Sequence, residues 1–259
     1  MTEIKKVVLI LLDGLRPDGF TACGSPFAKE LLAHSAYTLK ESTVMPSVTL
    51  PCHFSLFHSV SPQRHGILSN LYTPQVRPIR GLFEVLRGAG KSTAMFYDWD
   101  ELRDLARPDN IAYSCFASGH LLKYENTMKI NLAHLLEHFQ SGIPDFTFFY
   151  MGWVDAAGHD FGWMSDEYLR AVAGSLDSAR QVIETLSDDC LAIVTADHGG
   201  HDRCHGCDIP EDMTIPLFFY NKTFTPREIP SASIIDIAPT ITSLLNVPAD
   251  GDWEGKPLI

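Results

Sequence analysis

Residues 7–14 read VVLILLDG: six apolar side chains without a polar interruption, then an acid and a glycine. A strand whose two faces are both covered by helices shows such a continuous run, whereas a half-exposed strand alternates. Four more runs share the pattern, at 92–99, 146–153, 191–195 and 215–220. Helical patterns fall between them. Segment 26–36 opens on Pro26, 51–59 opens on Pro51, 81–87 ends before Gly88 and Gly90, and 126–140 ends before Gly142. Ser165, followed by Asp166 and Glu167, caps a helix running to about residue 186. Strands alternating with helices imply right-handed βαβ units, so the expected fold is α/β, a doubly wound, mostly parallel sheet with helices on both faces.

The 259 residues carry 20 Lys+Arg against 32 Asp+Glu, a formal charge of −12, and 45% are hydrophobic. That acidic balance excludes a nucleic-acid polymer or an anionic membrane surface as partner, since both select basic faces. The run 7–12 is far shorter than the roughly 20 residues of a membrane span and ends in Asp13, so the expected address is the cytoplasm. Six cysteines are too few for a disulfide scaffold and read as free thiols. No repeat or flexible linker interrupts the chain, so residues 1–259 are expected to form one domain, with 68–145 as a possible small flap over the site.

Three of the apolar runs finish alike: 7–12 in Asp13-Gly14, 146–153 in Val154-Asp155, and 191–195 in Ala196-Asp197-His198. Open α/β sheets bind ligands at the carboxyl ends of their strands, so these carboxylates are expected to converge. Bare, they would repel, and only Arg16 lies near Asp13 while no Lys or Arg lies within three residues of Asp155 or Asp197. Divalent metal is the economical counter-charge. His159, His198 and His205 follow closely, and mixed Asp/His ligation suits zinc, with manganese or iron as competitors. Six such ligands exceed one tetrahedral shell; two ions about 4 Å apart are the natural partition, an arrangement that clamps both oxygens of a phosphoryl transfer.

A nucleophile is offered by residues 42–53, STVMPSVTLPCH, where Thr43, Ser47 and Thr49 precede a proline-started helix. A hydroxyl there sits at the positive end of the helix dipole, where backbone N–H groups favour a phosphate.

The blocks Asp13-Gly14, PSVTLPCH (46–53) with PQRHGI (62–67), Asp155 through GHDFG (158–162), Asp197-His198-Gly199, His205-Gly206 and IIDIAPTITSLL (234–245) together resemble the alkaline phosphatase superfamily, most closely its nucleotide pyrophosphatase/phosphodiesterase branch. They span nearly the whole chain in that family's order. The resemblance implies Thr49 as nucleophile, forming a covalent phosphothreonine that water then hydrolyses. It implies one zinc held by Asp13, Thr49, Asp197 and His198, and another by Asp155, His159 and His205. The substrate it implies is a small phosphate ester or nucleotide, either a diester or, on the same fold, a monoester. Cys52 departs from the branch's usual asparagine three residues after the nucleophile, and as a substrate contact its thiol would be a weak donor. A metal-binding module without hydrolase activity is the reading from another class. The sulfatase motif Cys/Ser-x-Pro-x-Arg is missing, and the stretch after the nucleophile is too short for the inserted domain of cofactor-independent phosphoglycerate mutases.

Other features compete. Gly88-Ala89-Gly90-Lys91-Ser92 ends like a phosphate loop, but the first glycine of that motif would fall on Val85, and helix precedes strand rather than following it. Cys204 and Cys207 form a CxxC with no second pair. His201 competes with His205 as the last ligand, and His53 and His65 read as structural. Tyr72, Phe96, Tyr97 and Trp99 are the candidate leaving-group contacts in 68–145.

Overall fold

A computed structural model describes residues 3–106 and 109–259; residues 107 and 108, within the expected flap, lie outside the described set. Its strands are β1 (Lys6–Leu12), β2 (Ser35–Ser42), β3 (Thr93–Tyr97), β4 (Tyr113–Phe116), β5 (Phe146–Met151), β6 (Cys190–Thr195), β7 (Thr214–Tyr220) and β8 (Arg227–Glu228). They form one sheet in the order β4-β3-β5-β1-β6-β7-β2-β8. The stretch from β4 to β6 is parallel throughout, whereas β7 runs antiparallel to both β6 and β2. Every residue from Val7 to Leu12 is buried, as the unbroken apolar run requires of the strand at the centre.

The helices are α1 (Pro17–Ala22), α2 (Pro26–Ala33), α3 (Thr49–His58), α4 (Pro62–His65), α5 (Leu82–Gly88), α6 (Gly119–Leu122), α7 (Tyr124–Gln140), α8 (Trp153–Phe161), α9 (Asp166–Glu184), α10 (Pro210–Met213) and α11 (Ile237–Leu244). On one face α3 lies over β5: Phe57 meets Phe148 edge-on at 4.9 Å and His53 meets Tyr150 at 5.4 Å. Opposite it, α9 starts at Ser165, whose hydroxyl accepts the Tyr168 N–H, and α1, α2, α7 and α8 pack around it.

Three boundaries differ from expectation. Trp153 is helical rather than the end of β5, because Gly152 breaks the strand and opens α8. Residues 35–36 belong to β2, not to the preceding helix; SAYTLKES is too polar to show as a buried run and gains its order from pairing with β7. Thr49 is the first helical residue of α3, capped by Val48, so Pro51 lies inside the first turn. The stretch 68–145 supplies β3 and β4 to one side of the sheet and α6 and α7 to the rim above its carboxyl edge. Gly88 to Ser92 join helix to strand, and Lys91 lies 3.7 Å from Asp145.

Candidate metal centre

β5, β1 and β6 are parallel neighbours at the middle of the sheet, so Asp13, Asp155 and Asp197 leave it side by side. Asp13 directly follows the Leu12–Met151 pair, and its N–H donates to the Met151 carbonyl at 3.1 Å. Gly14 makes the crowding possible. Its φ is +73°, and a Cβ there would lie 3.1 Å from both Cα and Cβ of Asp155; its N–H donates to Asp197 at 3.2 Å.

Two clusters result. Ligand atoms of Asp13, Asp197 and His198 lie within 4.8 Å of one another, as do those of Asp155, His198 and His205. In the first, His198 Nε2 is 3.3 Å from a carboxylate oxygen of Asp13, 3.3 Å from one of Asp197 and 3.1 Å from the Thr49 hydroxyl. In the second, Asp155 Oδ1 is 3.5 Å from His159 Nε2 and 3.7 Å from His205 Nε2. The rings of His198 and His205 stack at 3.8 Å and join the clusters.

The histidines are aimed from behind. Nδ1–H of His198 donates to the Gly199 carbonyl (2.7 Å), that of His205 to the Ser47 carbonyl (2.9 Å) and that of His159 to the Arg203 carbonyl (3.0 Å). Because a carbonyl only accepts, each proton sits on Nδ1 and each Nε2 lone pair turns into the site, the orientation of metal-ligating imidazoles. Burial, followed by the neighbouring His198, lowers the His205 pKa to about 3, keeping it neutral and able to ligate. Three carboxylate oxygens, Asp13 Oδ1, Asp155 Oδ1 and Asp197 Oδ2, are buried and lack a hydrogen-bond partner.

Those orphaned oxygens decide what the site wants. Burial raises the pKa of all three acids, that of Asp197 to about 7, with mutual repulsion adding to the rise for Asp13 and Asp197. Two like charges 4 Å apart repel by about 4 kcal/mol at an effective dielectric of 20. One hydrogen bond returns only about 1 kcal/mol. Divalent cations fit both the unpaired oxygens and the aimed nitrogens.

Thr49 stands at the first turn of α3, facing a cleft of about 740 Å³ that Asp13, Asp155, His159 and His205 also line. Asn70 lines it too, its side-chain oxygen accepting the Leu50 N–H at 3.0 Å, which leaves its amide nitrogen to donate elsewhere. The expectation for Cys52 needs correction. Its thiol is fully buried behind the helix turn against Thr43 and Pro46, so it does not reach the cleft. Asn70 has no motif to mark it; its position in the cleft is set by the fold of the loop after α4.

His53 does more than fill core: Nδ1–H donates to the Thr49 carbonyl at 2.8 Å and lies 3.5 Å from Asp197. His201 is turned away, bonded to the buried Asp212 at 2.7 Å, with Cys204 3.4 Å from its other nitrogen. His65 bonds Ser55 and the Ile67 N–H, away from the cleft. Of the expected aromatics Trp99 lines the cleft, whereas Phe96 is core and Tyr72 and Tyr97 line a separate cavity.

Comparison with known proteins gives the family and the fold. The type I phosphodiesterase / nucleotide pyrophosphatase family model matches residues 7–84 and 91–213. A 2,3-bisphosphoglycerate-independent phosphoglycerate mutase of Staphylococcus aureus is 30% identical over 132 residues, 48% of this chain and 25% of the mutase. Human ectonucleotide pyrophosphatase/phosphodiesterase family member 7 is 23% identical over 217 residues, 75% of this chain and 47% of that protein. The chain thus spans about a quarter to half the length of these relatives. In fold it is similar to murine ectonucleotide pyrophosphatase/phosphodiesterase 5, solved as an inactive variant with AMP (TM-score 0.78, 15% identity, 95% of this chain and 96% of that one). The human protein of the same name gives a TM-score of 0.79 at 14% identity, covering 97% of each chain. The chain belongs to the type I phosphodiesterase / nucleotide pyrophosphatase family.

Proposed function

We propose that this protein is a metal-dependent phosphoester hydrolase that works through Thr49 on small phosphate esters, nucleotides among them. The observation that carries the reading is the three buried, unpartnered carboxylate oxygens facing histidine nitrogens beside a helix-terminal hydroxyl. Asp13, Thr49, Asp197 and His198 would hold one ion, and Asp155, His159 and His205 the other. Zinc suits this mixed nitrogen and oxygen set, with manganese as the competitor. When bound, such a pair lowers the pKa of the hydroxyl and neutralises charge on the attacking and leaving oxygens.

The chain's own groups do the rest. The Thr49 oxygen attacks phosphorus, the bond to the leaving oxygen breaks, and water later cleaves the Thr49 phosphoester and restores the hydroxyl. The Asn70 amide and the Thr49 N–H at the start of α3 donate to the non-bridging oxygens. His53 holds the Thr49 turn against Asp197. The complex of a structural neighbour with AMP supports a nucleotide as one substrate.

Turnover of bis(p-nitrophenyl) phosphate and p-nitrophenyl phosphate by zinc-loaded protein tests this. Thr49→Ala is expected to lose about 10³-fold or more in kcat. Equal turnover in that variant, or two bound metals with no hydrolysis in the parent protein, would overturn the reading.

A further inference from the structure

A fourth parallel strand also ends in a carboxylate, and the proposed mechanism leaves it unused. Asp98 directly follows β3, is fully buried and lies behind the cleft. One of its side-chain oxygens accepts the Gly152 N–H at 3.1 Å, the other accepts the Thr127 hydroxyl at 3.1 Å, and its carbonyl accepts the Gly119 N–H at 2.7 Å. It therefore ties β3 to the start of α8, to α6 and to the first turn of α7.

Gly119 and Gly152 share one neighbour, the ring of Tyr124. A Cβ on Gly119 would fall 2.2 Å from that ring, and one on Gly152 would fall 2.7 Å from it. The ring is thus seated on two bare backbone segments, both anchored to Asp98. Gly119, Gly152 and Tyr124 all line the cleft that holds Thr49, Asp13 and Asp155.

We propose that Asp98 is a positioning residue for substrate selection: its side chain fixes Gly152 and the first turn of α7 at Thr127, while its main-chain carbonyl holds Gly119, and together these set Tyr124 and so the wall that meets the organic substituent of a phosphate ester. This rests on the proposed hydrolase reading for the substrate class, but the contact it describes exists whether or not turnover occurs. An aspartic side chain suits the task because its two oxygens meet Gly152 and Thr127 on different elements at once, whereas asparagine puts an NH₂ in place of one of those oxygens. Inorganic phosphate carries no organic substituent and does not reach this wall.

Calorimetric binding to zinc-loaded protein in the Thr49→Ala background separates the two ideas, since no hydrolysis is needed. Asp98→Asn is expected to weaken bis(p-nitrophenyl) phosphate about tenfold and to leave inorganic phosphate within about twofold. In the Tyr124→Leu background the same substitution should change diester binding by less than about twofold, because its effect runs through that ring. Where Asp98→Asn folds poorly, Gly152→Ala displaces Tyr124 directly and should give the same selective loss. Equal weakening of diester and phosphate, an undiminished effect without Tyr124, or no effect on the diester would each overturn the proposal. Loss of turnover alone, with this binding pattern intact, would count against the hydrolase reading instead.

Discussion

Thr49 and its neighbours show how one position changes meaning once the backbone is known. The family resemblance puts Cys52 where an amide donor is expected, but one helical turn carries its thiol behind Thr49. Asn70, 21 residues on, brings the amide into the cleft, pinned by the Leu50 N–H. Asn70→Ala should therefore lower kcat about 10²-fold, the usual cost of losing one preorganised donor. Cys52→Ser or Cys52→Ala should leave kcat within about twofold, measured on the same aryl phosphate esters. The reverse pattern would restore the thiol as the contact. The clustering of these Asp and His side chains was legible because each Asp follows an apolar run and each His stands within a few residues of an Asp or in the glycine-rich loop after one. Asn70 was not, since it carries no spacing signature, and Asp98 was hidden because it lies inside the 92–99 run that reads as a strand.

β1, β5 and β6 place the acids, and their packing explains why the glycine after Asp13 matters. With φ at +73° and a Cβ contact of 3.1 Å to Asp155, Gly14→Ala strains the backbone and pushes Asp155 away from Asp13. The expected result is loss of one or both ions after dialysis, read by elemental analysis, with an apparent stability loss of about 1–3 kcal/mol. Retention of two ions per chain would show that the sheet edge tolerates the shift. The central strands were readable from their unbroken apolar runs. β2, β4 and β8 were not: β2 mixes polar residues and is ordered by its ladder with β7, while β4 and β8 are short and largely exposed. Short helices such as α6 and α8 hide for the same reason, because fewer than three turns leave no clear period.

Across the entire chain the acidic surplus and the buried acids make stability depend on pH, and metal should weaken that dependence. Burial raises Asp98 to about 8 and Asp197 to about 7, so the folded metal-free protein binds more protons than the unfolded chain until pH passes those values. Their contribution is complete below the ordinary carboxylate range and is lost as pH rises through 7 and 8. His53 and His205, lowered to about 3 by burial, act oppositely but only below their ordinary value near 6.5. Between pH 6.5 and 8 the carboxylates dominate. The melting temperature of chelator-treated protein should fall across that window, and zinc should reduce the fall by the share that Asp197 contributes; a flat or rising profile without metal would contradict burial of these carboxyls as the cause. Two divalent ions would also bring the formal charge of −12 to about −8 and concentrate positive field at the one place a phosphate must enter. The most direct measurement is anomalous diffraction from zinc-loaded crystals soaked in orthovanadate. Two zinc peaks are expected, one among Asp13, Thr49, Asp197 and His198 and one among Asp155, His159 and His205, with vanadium bonded to the Thr49 hydroxyl oxygen. A single peak, a peak on Cys204 and His201, or vanadate on another hydroxyl such as Ser47 would contradict a two-metal centre built around Thr49.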